Sequence, residues 1–116
     1  MSIDLKRAYD PPAASDGWRV LIDRIWPRGI AKADLQVDAW LKDLAPSAEL
    51  RKWFGHDPKK WDEFRQHYAR ELDQRRNAIE QLLERARAGR VTLVFGARDV
   101  AHSNAAALKE YLERRL

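Results

Sequence analysis

The sequence predicts a single compact α/β domain, with a small, mostly parallel or mixed sheet flanked by helices. Three observations lead there. Residues 18–23 and 90–95 are short runs rich in β-branched and aromatic residues, and the centre of the first is apolar on both faces, as in a sheet covered on both sides. Apolar residues recur at helical spacing from Trp61 to Ala86. The order of elements is strand, strand, strand, helices, strand, helix. It fills 116 residues without a repeat, low-complexity tract or linker, the length of one domain spanning 1–116.

Taken in order, residues 3–9 alternate, with Ile3, Leu5 and Tyr9 on one face, and read as a strand. Asp10-Pro11-Pro12 ends it, because two prolines remove backbone donors and hold the preceding residue extended. Residues 13–17 are a loop, and residues 18–23 are a second strand closed by Pro27 and Gly29. Residues 36–44 fit two patterns. Val37, Ala39 and Leu41 alternate, while Val37, Trp40, Leu41 and Leu44 make a helical stripe. A strand is favoured, since Pro46-Ser47 looks like a fresh helix start. Ser47 can cap the next amides and Glu49 suits the positive end of the helix, which is expected to bury Leu50, Trp53 and Phe54 and to stop at Gly55.

Asp57-Pro58 is a second helix start, an N-cap carboxylate followed by proline. Trp61, Phe64, Tyr68 and Leu72 follow at helical spacing, and Ile79, Leu82, Leu83 and Ala86 continue to Gly89. One straight helix over that span would run about 45 Å, too long for so small a globule. A break is therefore predicted near residues 73–76, with Asn77 and Glu80 as a capping box. Residues 90–95 form the clearest strand, and a last helix from about Ser103 buries Leu108, Tyr111 and Leu112.

Composition removes several functions. There is no cysteine, so disulfides, thiolate metal sites and cysteine nucleophiles are absent. The longest apolar runs are a few residues, such as Val20-Leu21-Ile22, and no membrane association is predicted. The first residues lack the apolar core of a signal peptide, which points to the cytoplasm. Lys+Arg number 22 against 18 Asp+Glu, a net charge of +4. Fifteen of the cations are Arg, the better fork for phosphate and carboxylate oxygens. Five Trp in so short a chain suggest the edge of a pocket or core.

In open parallel sheets, ligands bind beyond the carboxyl ends of the strands. Asp23, Arg24 and Arg28 follow the second strand; Ser47 and Arg51 follow the third; Arg98, Asp99, His102 and Asn104 follow the fourth. Two Arg and a serine at a helix N-terminus would make an anion receptor. Asp99 and His102 would be its acid–base pair, since a carboxylate can fix an imidazole tautomer. Each residue alone also reads as a surface ion pair or a cap; the grouping is what predicts a ligand site, for a small anionic molecule bearing phosphate or carboxylate. Asp23, Arg24, Arg28, Ser47, Arg51 and Asn104 would bind it. His56 reads as a loop residue before a cap and His67 as solvated. No His pair has ligand spacing, and neither Gly-x-Ser-x-Gly nor a glycine-rich phosphate loop occurs, so neither metal nor cofactor is predicted. Two alternatives stand beside this reading. The Arg-rich central helices (Arg65, Arg70, Arg75, Arg76, Arg85, Arg87 and Arg90) could contact nucleic acid, although Glu71, Asp73, Glu80 and Glu84 interleave with them. The Trp residues could form a protein interface.

Asp23-Arg24-Ile25-Trp26-Pro27-Arg28-Gly29, Trp40-Leu41-Lys42-Asp43-Leu44-Ala45-Pro46-Ser47 and Leu50-Arg51-Lys52-Trp53-Phe54-Gly55-His56-Asp57-Pro58, with Arg7-Ala8-Tyr9-Asp10, resemble the YeaO-like bacterial proteins of the domain-of-unknown-function 488 family. The resemblance covers almost the whole chain. It implies a compact α/β fold and a shared site at the residues named above, and no known reaction. Some relatives carry a transcription-regulator label, but no helix-turn-helix with a basic recognition helix is visible here. The family pattern near the C-terminus resembles Ala-Lys-Asp-x-x-His-Asn-Asn. This chain has Ala97-Arg98-Asp99-Val100-Ala101-His102-Ser103-Asn104, so a covalent lysine mechanism at that point is not open to it.

Overall fold

A computed structural model describes all 116 residues. Its strands are β1 (Ser2–Arg7), β2 (Trp18–Leu21), β3 (Ala39–Trp40) and β4 (Arg90–Phe95). Its helices are α1 (Lys32–Leu35), α2 (Ala48–Phe54), α3 (Trp61–Leu72), α4 (Arg76–Ala88) and α5 (Asn104–Glu113). All strand pairs are parallel, in the order β1-β4-β2-β3. The most apolar strand, β4, takes a central place, and every residue of it after Arg90 is buried. Arg7 lies beside Phe95, Leu21 beside Val94, and Leu21 beside Trp40, so the carboxyl ends of all four strands meet at one rim.

Side chains alternate across the sheet, and the two faces are filled differently. Ile3, Val20, Ile22, Val91, Leu93 and Phe95 pack in one core with the apolar stripes of α2, α3, α4 and α5. The opposite face carries a smaller cluster of Ala8, Leu21, Leu35 and Val94, covered by Trp26, Ile30, Val37 and Trp40. The long helices therefore share one side, and loops with the one-turn α1 close the other.

That second face also holds a buried ionic knot. The Arg19 side chain, 4% exposed, donates to Asp16 Oδ2 at 2.7 Å, to the Leu35 carbonyl at 2.7 Å and to the Gln36 carbonyl at 3.1 Å. Lys6 Nζ donates to the same carboxylate at 3.0 Å, and the Thr92 hydroxyl donates to the Asp16 carbonyl at 2.7 Å. A buried charge is tolerated when paired and fully hydrogen-bonded, and this knot fastens the link between β1 and β2 onto three strands.

Several sequence expectations shift. The first strand ends at Arg7, leaving Tyr9 half exposed beyond it, and the second ends at Leu21, although Ile22 N–H still donates to the Val94 carbonyl. Residues 36–44 give only the two-residue β3, because residues 42–44 coil into a 3₁₀ turn. Trp53 does not join the buried stripe of α2; it is 38% exposed, edge-on to His67 with Lys60 over its ring. The break between α3 and α4 falls where helix length predicts it, but no Asn77–Glu80 capping box forms, since Arg75 occupies the N-cap without a side-chain bond. Ser47 caps α2 as expected. Asp57 also caps, but the element it starts is a 3₁₀ turn over residues 58–60 ahead of α3. Ser103, at the predicted start of the last helix, caps α5 by accepting from Ala106 N–H.

Gly17 sits at φ 68°, and a Cβ there would lie 2.4 Å from the Arg90 carbonyl oxygen. Both the left-handed backbone and the close approach of β4 require glycine. Gly17→Ala is expected to lower unfolding free energy by about 2 kcal/mol, read from urea denaturation; unchanged stability would contradict this packing.

Candidate functional site

At the carboxyl rim a cleft of about 470 Å³ opens between the segments after β2 and β4, the Ala45-Pro46 link, α2, α3 and the start of α5. That volume is typical of a small-molecule site. Its floor is apolar: Ala45, Phe54 and Phe64 are buried beside Pro46, with the two rings stacked at 4.3 Å. Its rim is exposed and cationic: Arg24, Arg51 and Lys52 line it with Ile25 and His56. Asp23, His102 and Asn104 lie between floor and rim, partly buried.

Asp23 ties the cleft together. Its Oδ2 accepts from Gly96 N–H at 2.8 Å, its Oδ1 accepts from Asn104 Nδ2 at 3.1 Å, and its carbonyl accepts from Trp40 Nε1 at 2.7 Å. Burial raises the Asp23 carboxyl above the usual carboxylate value, against the pull of Asn104, Gly96 and Arg51. Arg7 clamps the next segment, with Nε and Nη2 donating to the Ala97 and Gly96 carbonyls at 3.0 and 3.3 Å.

Asp99 and His102 do meet. Asp99 Oδ2 lies 2.8 Å from His102 Nδ1, and Asp99 Oδ1 accepts from the His102 amide at 3.2 Å. The hydrogen bond to His102 holds the Asp99 carboxyl below its usual value. Only the imidazole lines the cleft, edge-on to Trp61 at 5.3 Å; Asp99 stands behind it in solvent as an orienting partner. No free serine adjoins this pair. Ser103 Oγ donates to the Val100 carbonyl while accepting from Ala106, and Ser47 Oγ donates to Glu71.

Of the residues expected to bind, Asp23, Arg24, Arg51 and Asn104 converge on the cleft with His102, whereas Arg28 and Ser47 do not line it. Trp26 explains Arg28. Its Nε1 donates to the Ile30 carbonyl, and its ring meets Trp40 on the opposite face of the sheet. The chain after Ile25 therefore turns away from the cleft, and the Arg28 carbonyl accepts from Tyr9 instead. Glu71 explains Ser47. One carboxylate oxygen accepts from Ser47 N–H at 2.8 Å and the other from Ser47 Oγ at 2.6 Å. The N-terminus of α2 thus already holds an anion from α3.

The cleft also takes in Lys52, His56, Phe54 and Phe64, which strand-end reasoning does not pick out. Gly55 and His56 both take positive φ, 54° and 57°, and this double left-handed turn carries the imidazole to the rim. A non-glycine residue in that region is strained, as residues at binding sites often are.

The Arg-rich segment is divided: the side chains of Arg70, Arg75 and Arg76 are exposed without a partner in the protein, and the other four are engaged. Arg65 pairs with Asp62 and Glu110, Arg85 covers Trp18, Arg87 donates to the Arg115 carbonyl, and Arg90 pairs with Asp4. The Trp residues are split between both faces of the sheet, and only Trp53 is more than partly exposed. No helix is long and apolar enough to cross a membrane.

A family model described as the inactive DUF488-N3 subclade matches residues 2–116. The chain belongs to the DUF488 family. Among its relatives, the uncharacterized protein YeaO of Escherichia coli K12 is 41% identical over 112 residues, covering 97% of both chains. An uncharacterized protein of Mycobacterium tuberculosis H37Rv is 43% identical over 113 residues, covering 97% of this chain and 95% of its own. No solved structure is significantly similar. The motif resemblance is thus family membership over nearly the whole length, and the DUF488 fold in this chain is a parallel sheet with a cleft at its carboxyl rim.

The two aspartates are expected to separate by NMR titration of carboxyl carbons, Asp99 below the ordinary aspartate range and Asp23 above it. Because Asp99 is depressed when folded, its contact stabilises above the ordinary range and is lost as pH falls through the folded value. Because Asp23 is raised, its cost is absent at low pH and appears as pH rises through its folded value. His102→Ala should return Asp99 toward the ordinary range; an unmoved midpoint would show that the pair does not form.

Proposed function

We propose that this DUF488 protein binds a small anionic molecule, phosphate- or carboxylate-bearing, in the cleft at the strand ends, and binds it without turnover. One observation carries the reading. Arg24, Arg51 and Lys52 converge on the cleft, and none of their side chains makes a salt bridge or a hydrogen bond within the protein. Two free guanidinium forks and an ammonium over an apolar floor are the means by which a compact anion is held: bidentate hydrogen bonds at the rim and reduced water competition beneath. His56 and His102 add further polar atoms at the same opening.

Binding rather than catalysis is favoured by two things. The subclade to which the chain matches is described as inactive. The one serine lining the cleft, Ser103, also has its hydroxyl engaged in capping α5, so it is not a free nucleophile beside His102.

Calorimetric titration with inorganic phosphate at low ionic strength tests this. Wild type is expected to bind, and Arg51→Ala to bind roughly tenfold or more weakly, as loss of a charge-assisted hydrogen bond predicts. Ser47→Ala should leave affinity unchanged while lowering stability by about 1 kcal/mol through loss of the cap. Equal affinity in wild type and Arg51→Ala would refute the site.

A further inference from the structure

The cleft is larger than a bare anion needs, and its chemistry changes from floor to mouth. At about 30 Å³ for each water-sized group, its volume of about 470 Å³ has room for roughly fifteen non-hydrogen atoms. That is several times the space of one phosphate or carboxylate group.

The floor offers no hydrogen bond. Phe54 and Phe64 are 5% and 2% exposed, and Ala45 is buried with them. None of these side chains carries a donor, and Pro46 beside them has no N–H. The Ala45 amide is already spent on the Lys42 carbonyl. A charged group set down there would lose its water and gain nothing in return. Half-way up, Asp23 is the one carboxylate that lines the cleft, and it disfavours a second anionic group at its own depth. The cationic donors Arg24, Arg51 and Lys52 are confined to the exposed mouth. Ile25 stands with them. It is 70% exposed and lines the same opening, so apolar surface is available at the mouth as well as on the floor.

From this order we infer that the ligand is an amphiphile with one anionic end. Its apolar body sits inward, on Phe54 and Phe64, and its single phosphate or carboxylate group stays at the mouth with Arg24, Arg51 and Lys52. The inference rests on the anion-binding reading above and adds the body, its orientation and the exclusion of a second charged end. A bare anion leaves the apolar floor and Ile25 in water. A molecule anionic at both ends buries one charge where no donor meets it.

Three carboxylates test this on the wild-type protein, without any variant. Acetate has the anionic group alone, benzoate adds an apolar ring, and terephthalate places a second carboxylate at the far end of that ring. Dissociation constants from protein-observed NMR at neutral pH are expected to place benzoate about tenfold tighter than acetate. That is the factor given by removing roughly 55 Å² of apolar surface from water. Terephthalate is expected to bind about tenfold more weakly than benzoate, despite its greater charge. Intermolecular NOEs should join the benzoate ring protons to Phe54 and Phe64. Acetate or terephthalate binding as tightly as benzoate overturns the inference and leaves the anion site standing. Ring NOEs that miss both phenylalanines, or phosphate binding without benzoate binding, have the same meaning. If neither inorganic phosphate nor any of the three carboxylates binds, the anion site itself fails and this inference with it.

Discussion

The Asp23 junction is the interaction on which the rim depends. Two residues past the end of β2, it accepts from the turn after β4, from the first residue of α5 and, through its carbonyl, from the indole of β3. Parallel strands bring their carboxyl ends to the same edge, but nothing in strand pairing dictates how the segments beyond them are arranged. Here a half-buried carboxylate does so. Its burial is unfavourable for the charge and is offset by two donors and by the field of Arg51. The cleft is what remains open around that junction once α2 and α3 have placed their phenylalanines beneath it.

The two faces of the sheet divide the labour. Four helices on one face build the main core and supply the cleft floor. The other face carries the Arg19–Asp16 knot and the Trp26–Trp40 pair, which hold loops in place of helices. Trp26 belongs to the second face alone. By turning to the second face it leaves Arg24 and Ile25 at the cleft and draws Arg28 away. A DUF488 chain thus places neighbouring arginines of one short motif in different surroundings.

Local signals are enough for much of the fold. The residues 90–95 strand stands out because glycine flanks it and its side chains suit only a covered pleat, and capping chemistry marks α2 at Ser47. Where long-range partners decide, the sequence is silent. Ser47 reads as a ligand residue because Glu71, 24 residues away, is not visible as its partner. His56 reaches the cleft through a left-handed turn whose second residue is not glycine, so no turn rule announces it. Asn77 and Glu80 have capping-box spacing, yet the burial of Ile79, Leu82 and Leu83 sets where α4 lies. Asp23, Arg24, Arg51, His102 and Asn104 are legible for a general reason: each lies in a segment that follows a strand or starts the next helix, and parallel pairing gathers those segments.

The most direct measurement is backbone amide chemical-shift mapping during a titration with inorganic phosphate. An anion held in the cleft predicts saturable shifts confined to residues 23–25, 45–46, 51–56, 64 and 96–104, which enclose it. Shifts centred on Arg75, Arg76 and the exposed face of α4, or none at all, would contradict it.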